Sequence, residues 1–156
     1  MTSAIRIGAA GASDHPRLAA VWEASVRATH DFLDRDYLAW IRERLVPEFL
    51  PAVSLHAARD DGGVIIGFLG VADDRIEMLF IDPASRGKGV GRLLVTHAIE
   101  VLGARAVDVN EQNEQAVGFY LRMGFQVERR SDRDGMGKPY PLLHLRLGAM
   151  DGDTAC

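Results

Sequence analysis

Apolar positions alternate at period two in some stretches and recur at helical spacing in others, and the two patterns divide the chain. Ile5 and Ile7 flank one polar position and predict a short opening strand. Ser13 and Asp14 are helix-capping residue types, with Pro16 in the first turn beyond them. Leu18, Val21, Trp22, Ser25, Val26 and Thr29 then fall on one helical face, so a helix is predicted to about His30. A second helix is predicted over 36–46, closed by Pro47. Residues 53–59 and 64–71 read as a hairpin around Asp60-Asp61-Gly62-Gly63, followed by a strand over 75–81. That last strand is nearly continuous in apolar residues (Ile76, Met78, Leu79, Phe80, Ile81), which predicts cover on both faces. A glycine-rich loop then leads into a helix over 89–102. A short strand at 106–109 and a helix from Asn113 to Met123, stopped by Gly124, come next. Strands at 125–130 and 142–147 close the sheet. No repeat, low-complexity tract or long linker interrupts this order, so one mixed α/β domain over 1–148 and a frayed tail over 149–156 are expected.

Composition removes several functional classes. The 156 residues, 47% apolar and 26% charged, suffice for one hydrophobic core. No apolar run approaches the length of a membrane span, and the N-terminus lacks a basic segment followed by an apolar stretch, so no membrane partner and a cytoplasmic location are expected. Cys156 is the single cysteine, which excludes an internal disulfide and a thiolate metal site. His15, His56, His97 and His144 show no metal-ligand spacing, so no metal is expected. A net charge of −4 argues against a nucleic-acid partner.

Candidate chemistry concentrates at Arg86-Gly87-Lys88-Gly89-Val90-Gly91-Arg92. Glycines let the backbone approach a ligand closely. The first N–H groups of the helix that follows are unpaired donors on a positive dipole end, and three cations flank them. Such a loop suits a pyrophosphate. A nucleoside-triphosphatase loop needs Ser or Thr after the lysine, where Gly89 stands, and a dinucleotide loop needs a glycine where Arg92 stands. Arg86, Gly89 and Gly91 instead satisfy an Arg-x-x-Gly-x-Gly pattern; a glycine-rich turn with incidental charges is the alternative on the loop alone.

The segment MLFIDPASRGKGVGRLLVTHAIE resembles the acyl-CoA-binding motif of the GNAT superfamily of acyl-CoA N-acyltransferases, and NEQNEQAVGFYLRMGF resembles that superfamily's second motif. THDFL, VNEQNEQAVGFY and GKPYPLL together are similar to the bacterial YjaB-type acetyltransferases, a resemblance that spans nearly the whole chain. It implies a GNAT fold: a mostly antiparallel sheet of about seven strands, about four flanking helices, and a parallel pair of fourth and fifth strands that splay apart around acyl-CoA.

The resemblance also implies roles. Backbone groups at Leu79, Phe80 and Ile81 would pair with the pantetheine arm, Arg86 to Arg92 would hold the pyrophosphate, and Asn113, with Ala116 and Phe119, would touch the cofactor. Capping of its own helix is the other reading of Asn113. Tyr120 matches the general acid that protonates the departing thiolate; a phenol near ~10 and a thiol near ~8.5 differ by a gap that a hydrogen bond can bridge. A core tyrosine is the alternative.

Three carboxylates are candidates for the base: Glu77, preferred because burial on its strand should raise its pKa, Asp108 and Glu111. His30 and Phe32 fall where the family lines its acceptor pocket, and a histidine ending a helix is expected to favour its charged form. His97 reads as a satisfied boundary histidine. Arg129 to Asp134 read as a solvated hairpin, and Gly137 to Pro141 as an edge or crossover. The implied activity is direct acetyl transfer from acetyl-CoA to an amine, either a protein lysine or a small molecule, with a homodimer possible and no metal needed. A non-catalytic acyl-CoA-binding module is the rival from another class.

Overall fold

In the computed structural model, residues 4–148 are described; the expected tail and Cys156 lie outside them. The chain divides between Ala104 and Arg105 into two units. The first carries β1 (Arg6–Ala9), α1 (His15–Thr29), α2 (Arg35–Arg44), β2 (Ser54–Arg59), β3 (Ile65–Ala72), β4 (Arg75–Ile81) and α3 (Val90–Glu100). Its strands pair antiparallel in chain order.

Its core gathers Leu18, Val21, Trp22 and Val26 of α1, the periodic face read from the sequence, against Leu55, Ala57, Ile65 and Phe68 of the sheet. Leu45 and Leu50 complete it from beyond α2. Pro47 does not close the second helix as expected. A wide helical turn over Leu45–Phe49 continues past it, because the bond that closes this turn runs from the Leu50 N–H to the Leu45 carbonyl and asks nothing of the proline nitrogen. Asp14 does stand at the start of α1, but its carboxylate turns back to accept from Gly11 N–H (2.9 Å) and to pair with Arg59 (3.1 Å) rather than capping α1.

The strand covered on both faces is β3, buried from Ile65 through Val71, and not β4, where only Ile76 is buried. At Glu77 the reason is a bulge. Gly70 lies opposite Met78 and Val71 opposite Ile76, so Glu77 is the extra residue of the bulge and is exposed.

Two glycines let neighbours close on β3. A methyl at Gly67 would sit 2.9 Å from both Val90 Cγ1 and Ile81 Cδ1, and one at Gly70 would sit 2.7 Å from Val53 Cγ2. Gly67 is therefore where the first turn of α3 seats on the sheet, through Val90, which is buried with Leu94, Val95 and Ala98.

The second unit holds β5 (Ala106–Asn110), α4 (Glu114–Arg122), β6 (Phe125–Ser131) and β7 (Leu142–Leu147), with β7 antiparallel to and between the other two strands. Val107, Val109, Tyr120, Phe125 and Leu145 form its buried interior. α4 stops at Gly124, whose φ of +105° a side chain would resist. β6 is exposed beyond Phe125, and Gly137 to Pro141 lie in the connection before β7.

Gly67→Ala should lower the unfolding free energy by about 1–3 kcal/mol in urea titrations, as overpacked cores do. Gly8→Ala, where nothing lies within 4 Å of the added methyl, should change it by less than about 0.5 kcal/mol.

Candidate active site

The loop between β4 and α3 brings cations and uncapped N–H groups together. Asp82 opens it by accepting from the Ala84 N–H (3.1 Å), and Arg17 of α1 braces it by donating to Asp82 (3.2 Å) and to the Ile65 carbonyl (2.8 Å). Gly87 and Gly89 both stand at φ +79°, a conformation that strains residues bearing a Cβ. The first α-helical bond is Leu93 N–H to the Gly89 carbonyl, and no side chain caps the helix. The N–H groups of Val90, Gly91 and Arg92 therefore keep their donor capacity beside the exposed cations Arg86, Lys88 and Arg92. Lys88 also borders a small cavity of about 170 Å³ lined by Ser85, Ile66 and Asp60 to Gly62. Leu79, Phe80 and Ile81 on β4 are all half-buried.

On the second unit, Asn113 caps α4, its Oδ1 accepting from the Ala116 N–H (3.2 Å), which leaves the side-chain NH2 to donate elsewhere. Ala116 and Phe119 are half-buried on the same helix. Tyr120 is 5% exposed and meets Phe119 and Phe125 edge-on at 5.2 and 5.6 Å. Burial pushes its phenol well above the ordinary tyrosine value, so the hydroxyl keeps its proton, and the gap to a thiolate is wider than unperturbed values suggest.

The carboxylates fare unequally. Glu77 is not buried: its side chain is 43% exposed and lies 3.9 Å from Arg75, so the reason for preferring it falls away. Glu111 is clamped by two nitrogens of Arg130, Nε and Nη2 (2.7 and 3.1 Å), which holds its carboxyl below the usual range and weakens it as a base. Asp108 Oδ1 lies 2.7 Å from His144 Nδ1. Neither Arg17's brace nor the Asp108–His144 contact was found by sequence reasoning, since each joins residues far apart in the chain.

His30 caps the end of α1, but burial drives its pKa down to about 4 against a smaller opposing pull from Asp31, so the expectation of a charged ring is overturned. Its tautomer is determined locally. The Thr29 hydroxyl spends its proton on the Ser25 carbonyl (2.9 Å), so the 2.7 Å contact from Thr29 Oγ1 to His30 Nδ1 requires Nδ1–H, leaving the lone pair on Nε2. Phe32 and Phe80 hold the ring at 5.4 and 6.5 Å between centroids. His97 is not satisfied either. Its ring packs 5.1 Å from His56, and His97 Nε2 and His56 Nδ1 are both buried without a partner. Burial, then His97, lowers the pKa of His56.

Because His30 and His56 fold with depressed pKa values, the stability they contribute is present above the unfolded value of about 6.5 and lost as pH falls, for His30 through about 4. Urea midpoints should decline across that window, and His30→Gln should flatten the decline.

Residues 51–127 match the family model of the acetyltransferase (GNAT) domain. The chain is 49% identical over 129 residues to the peptidyl-lysine N-acetyltransferase YjaB of Salmonella typhimurium (strain LT2), covering 83% of this chain and 88% of that protein. The solution structure of apo YjaB from Escherichia coli superposes with a TM-score of 0.86 at 41% identity, over 94% of this chain and 99% of that one. The coenzyme A complex of the PaiA N-acetyltransferase from Thermoplasma acidophilum shares the fold, with a TM-score of 0.74 at 22% identity over 93% and 99% of the two chains. The cation-flanked glycine turn into α3, the capped α4 with its buried tyrosine and these relatives agree: the chain belongs to the GNAT family and is an N-acetyltransferase.

Proposed function

We propose that the protein transfers the acetyl group of acetyl-CoA directly to an amine, the ε-amino group of a protein lysine. The observation that carries this reading is the start of α3, where uncapped N–H groups and three exposed cations meet at two left-handed glycines. That donor set suits the pyrophosphate of coenzyme A. The peptidyl-lysine activity named for the Salmonella relative supports lysine as the acceptor.

Each remaining group has a role suited to its state. Backbone groups of Leu79, Phe80 and Ile81 would pair with the pantetheine amides as an added strand does. Asn113, whose oxygen is spent on its cap, keeps its NH2 for a pantetheine carbonyl, with Ala116 and Phe119 beside it. Tyr120, neutral and shielded, donates its proton to the departing thiolate. His30 and Phe32 receive the acceptor, the N–H of the amine donating to the His30 Nε2 lone pair. Glu77 serves at most through water from its exposed position, and Asp108 acts with His144 beside it.

Calorimetry should detect coenzyme A binding that weakens at least tenfold, about 1.4 kcal/mol, in Arg86→Glu or Arg92→Glu; unchanged affinity refutes the loop assignment. Tyr120→Phe should keep coenzyme A affinity while kcat drops at least tenfold. His30→Ala should raise KM for the amine and leave coenzyme A affinity alone. Thiol release with a panel of lysine peptides and small amines tests the acceptor, and turnover with small amines alone would replace lysine.

A further inference from the structure

Three side chains line up across the sheet of the second unit. Asp108 lies directly opposite His144 in the β5–β7 ladder, and Ser131 ends β6, opposite Leu142, so His144 reaches it diagonally. His144 Nδ1 is 2.7 Å from Asp108 Oδ1, and His144 Nε2 is 2.7 Å from Ser131 Oγ. The order of protons follows from these partners. A carboxylate oxygen only accepts, so Nδ1 of a neutral imidazole carries the hydrogen and Nε2 keeps its lone pair. Ser131 must then donate its O–H to Nε2. On its other side, the Arg129 guanidinium donates to the same Oγ at 3.5 Å. The hydroxyl thus has a base on its proton, which is what turns a serine into a nucleophile, and a cation close enough to turn toward the oxyanion that forms on attack. The imidazole is shielded, with 13% of its side chain exposed, while Ser131 ends a strand that has a neighbour on only one side within its unit.

We infer that Ser131 is an acyl-accepting nucleophile, a second reactive centre that takes short acyl groups from thioesters and activated esters and passes them to water. Ser131 Oγ forms a bond to the acyl carbonyl carbon as its proton moves to His144 Nε2, with Asp108 holding the ring and Arg129 beside the developing oxyanion. The carbon–sulfur bond breaks, and the departing thiolate takes the proton from His144. Water then attacks the acyl-serine, giving its proton to His144, which returns it to Ser131 Oγ. The net reaction converts thioester and water into carboxylic acid and thiol. None of these steps uses Tyr120 or the glycine loop.

The test uses the full chain and p-nitrophenyl acetate. The wild-type protein should release p-nitrophenol, and an acid-quenched digest should carry acetyl on the peptide containing Ser131. Release should fall at least tenfold in Ser131→Ala and in His144→Asn, with thermal melting confirming that both are folded, while Ser131→Cys should still be acetylated at position 131. A purely structural ladder would move the melting temperature and leave release unchanged. Release by Ser131→Ala within twofold of wild type, or acetyl mapped only elsewhere, overturns the inference. Amine acetylation from acetyl-CoA, measured in parallel, should be unchanged in Ser131→Ala. Its absence from the wild-type protein would count against the transferase reading alone.

Discussion

Much of the first unit depends on a missing side chain. At Gly67 the buried strand β3 has no Cβ, and Val90 and Ile81 close over the vacancy at a distance that a methyl group would violate. Val90 is the first residue of α3, so this contact fixes where the helix begins relative to the sheet. The glycine-rich loop immediately precedes Val90. Its direction is set by the two left-handed glycines and its other end is held by Arg17 through Asp82. A polyanion site needs donors that converge on one point without reorganising when the ligand arrives. In the coenzyme A site proposed at this loop that order would come from packing of the core, with the cations on the solvent side.

The sequence was most legible where structure is determined by neighbours along the chain. The apolar face of α1, the Asn113 cap, the Gly124 stop, and the glycine turn ahead of α3 all follow from spacings of a few residues, and the structure has each of them. Glu77 shows the limit. The nearly continuous apolar run around it placed it in a strand covered on both faces, but a bulge opposite Gly70 and Val71 leaves it exposed, and a bulge is a property of two strands together. Asp108 and His144 are alike in this respect: 36 residues apart on non-consecutive strands, they meet only because β5 and β7 pair. His30 was located but misjudged in charge. The helix-end rule describes a solvated ring, whereas this one is half-buried beside Phe32 and Phe80, and desolvation outweighs the pull of Asp31.

That misjudged charge bears on how an acetyltransferase handles a lysine. At pH 7 only about one lysine in 2,500 is neutral, a deficit of roughly 4–5 kcal/mol before any chemistry. A lone carboxylate in the acceptor pocket would hold the ammonium form by ion pairing and deepen that deficit, gaining affinity for the wrong protonation state. An uncharged imidazole among aromatic rings does the opposite. It offers a lone pair to one N–H and presents no negative charge, and the desolvation that depresses its own pKa opposes a cation beside it. A neutral His30 with its lone pair fixed on Nε2 by Thr29 is therefore better matched to the reacting form of the amine than any of the three carboxylates, two of which already face arginines. If His30 receives the acceptor as proposed, selectivity for neutral amine would come from keeping charge out of the pocket rather than from placing a strong base within it.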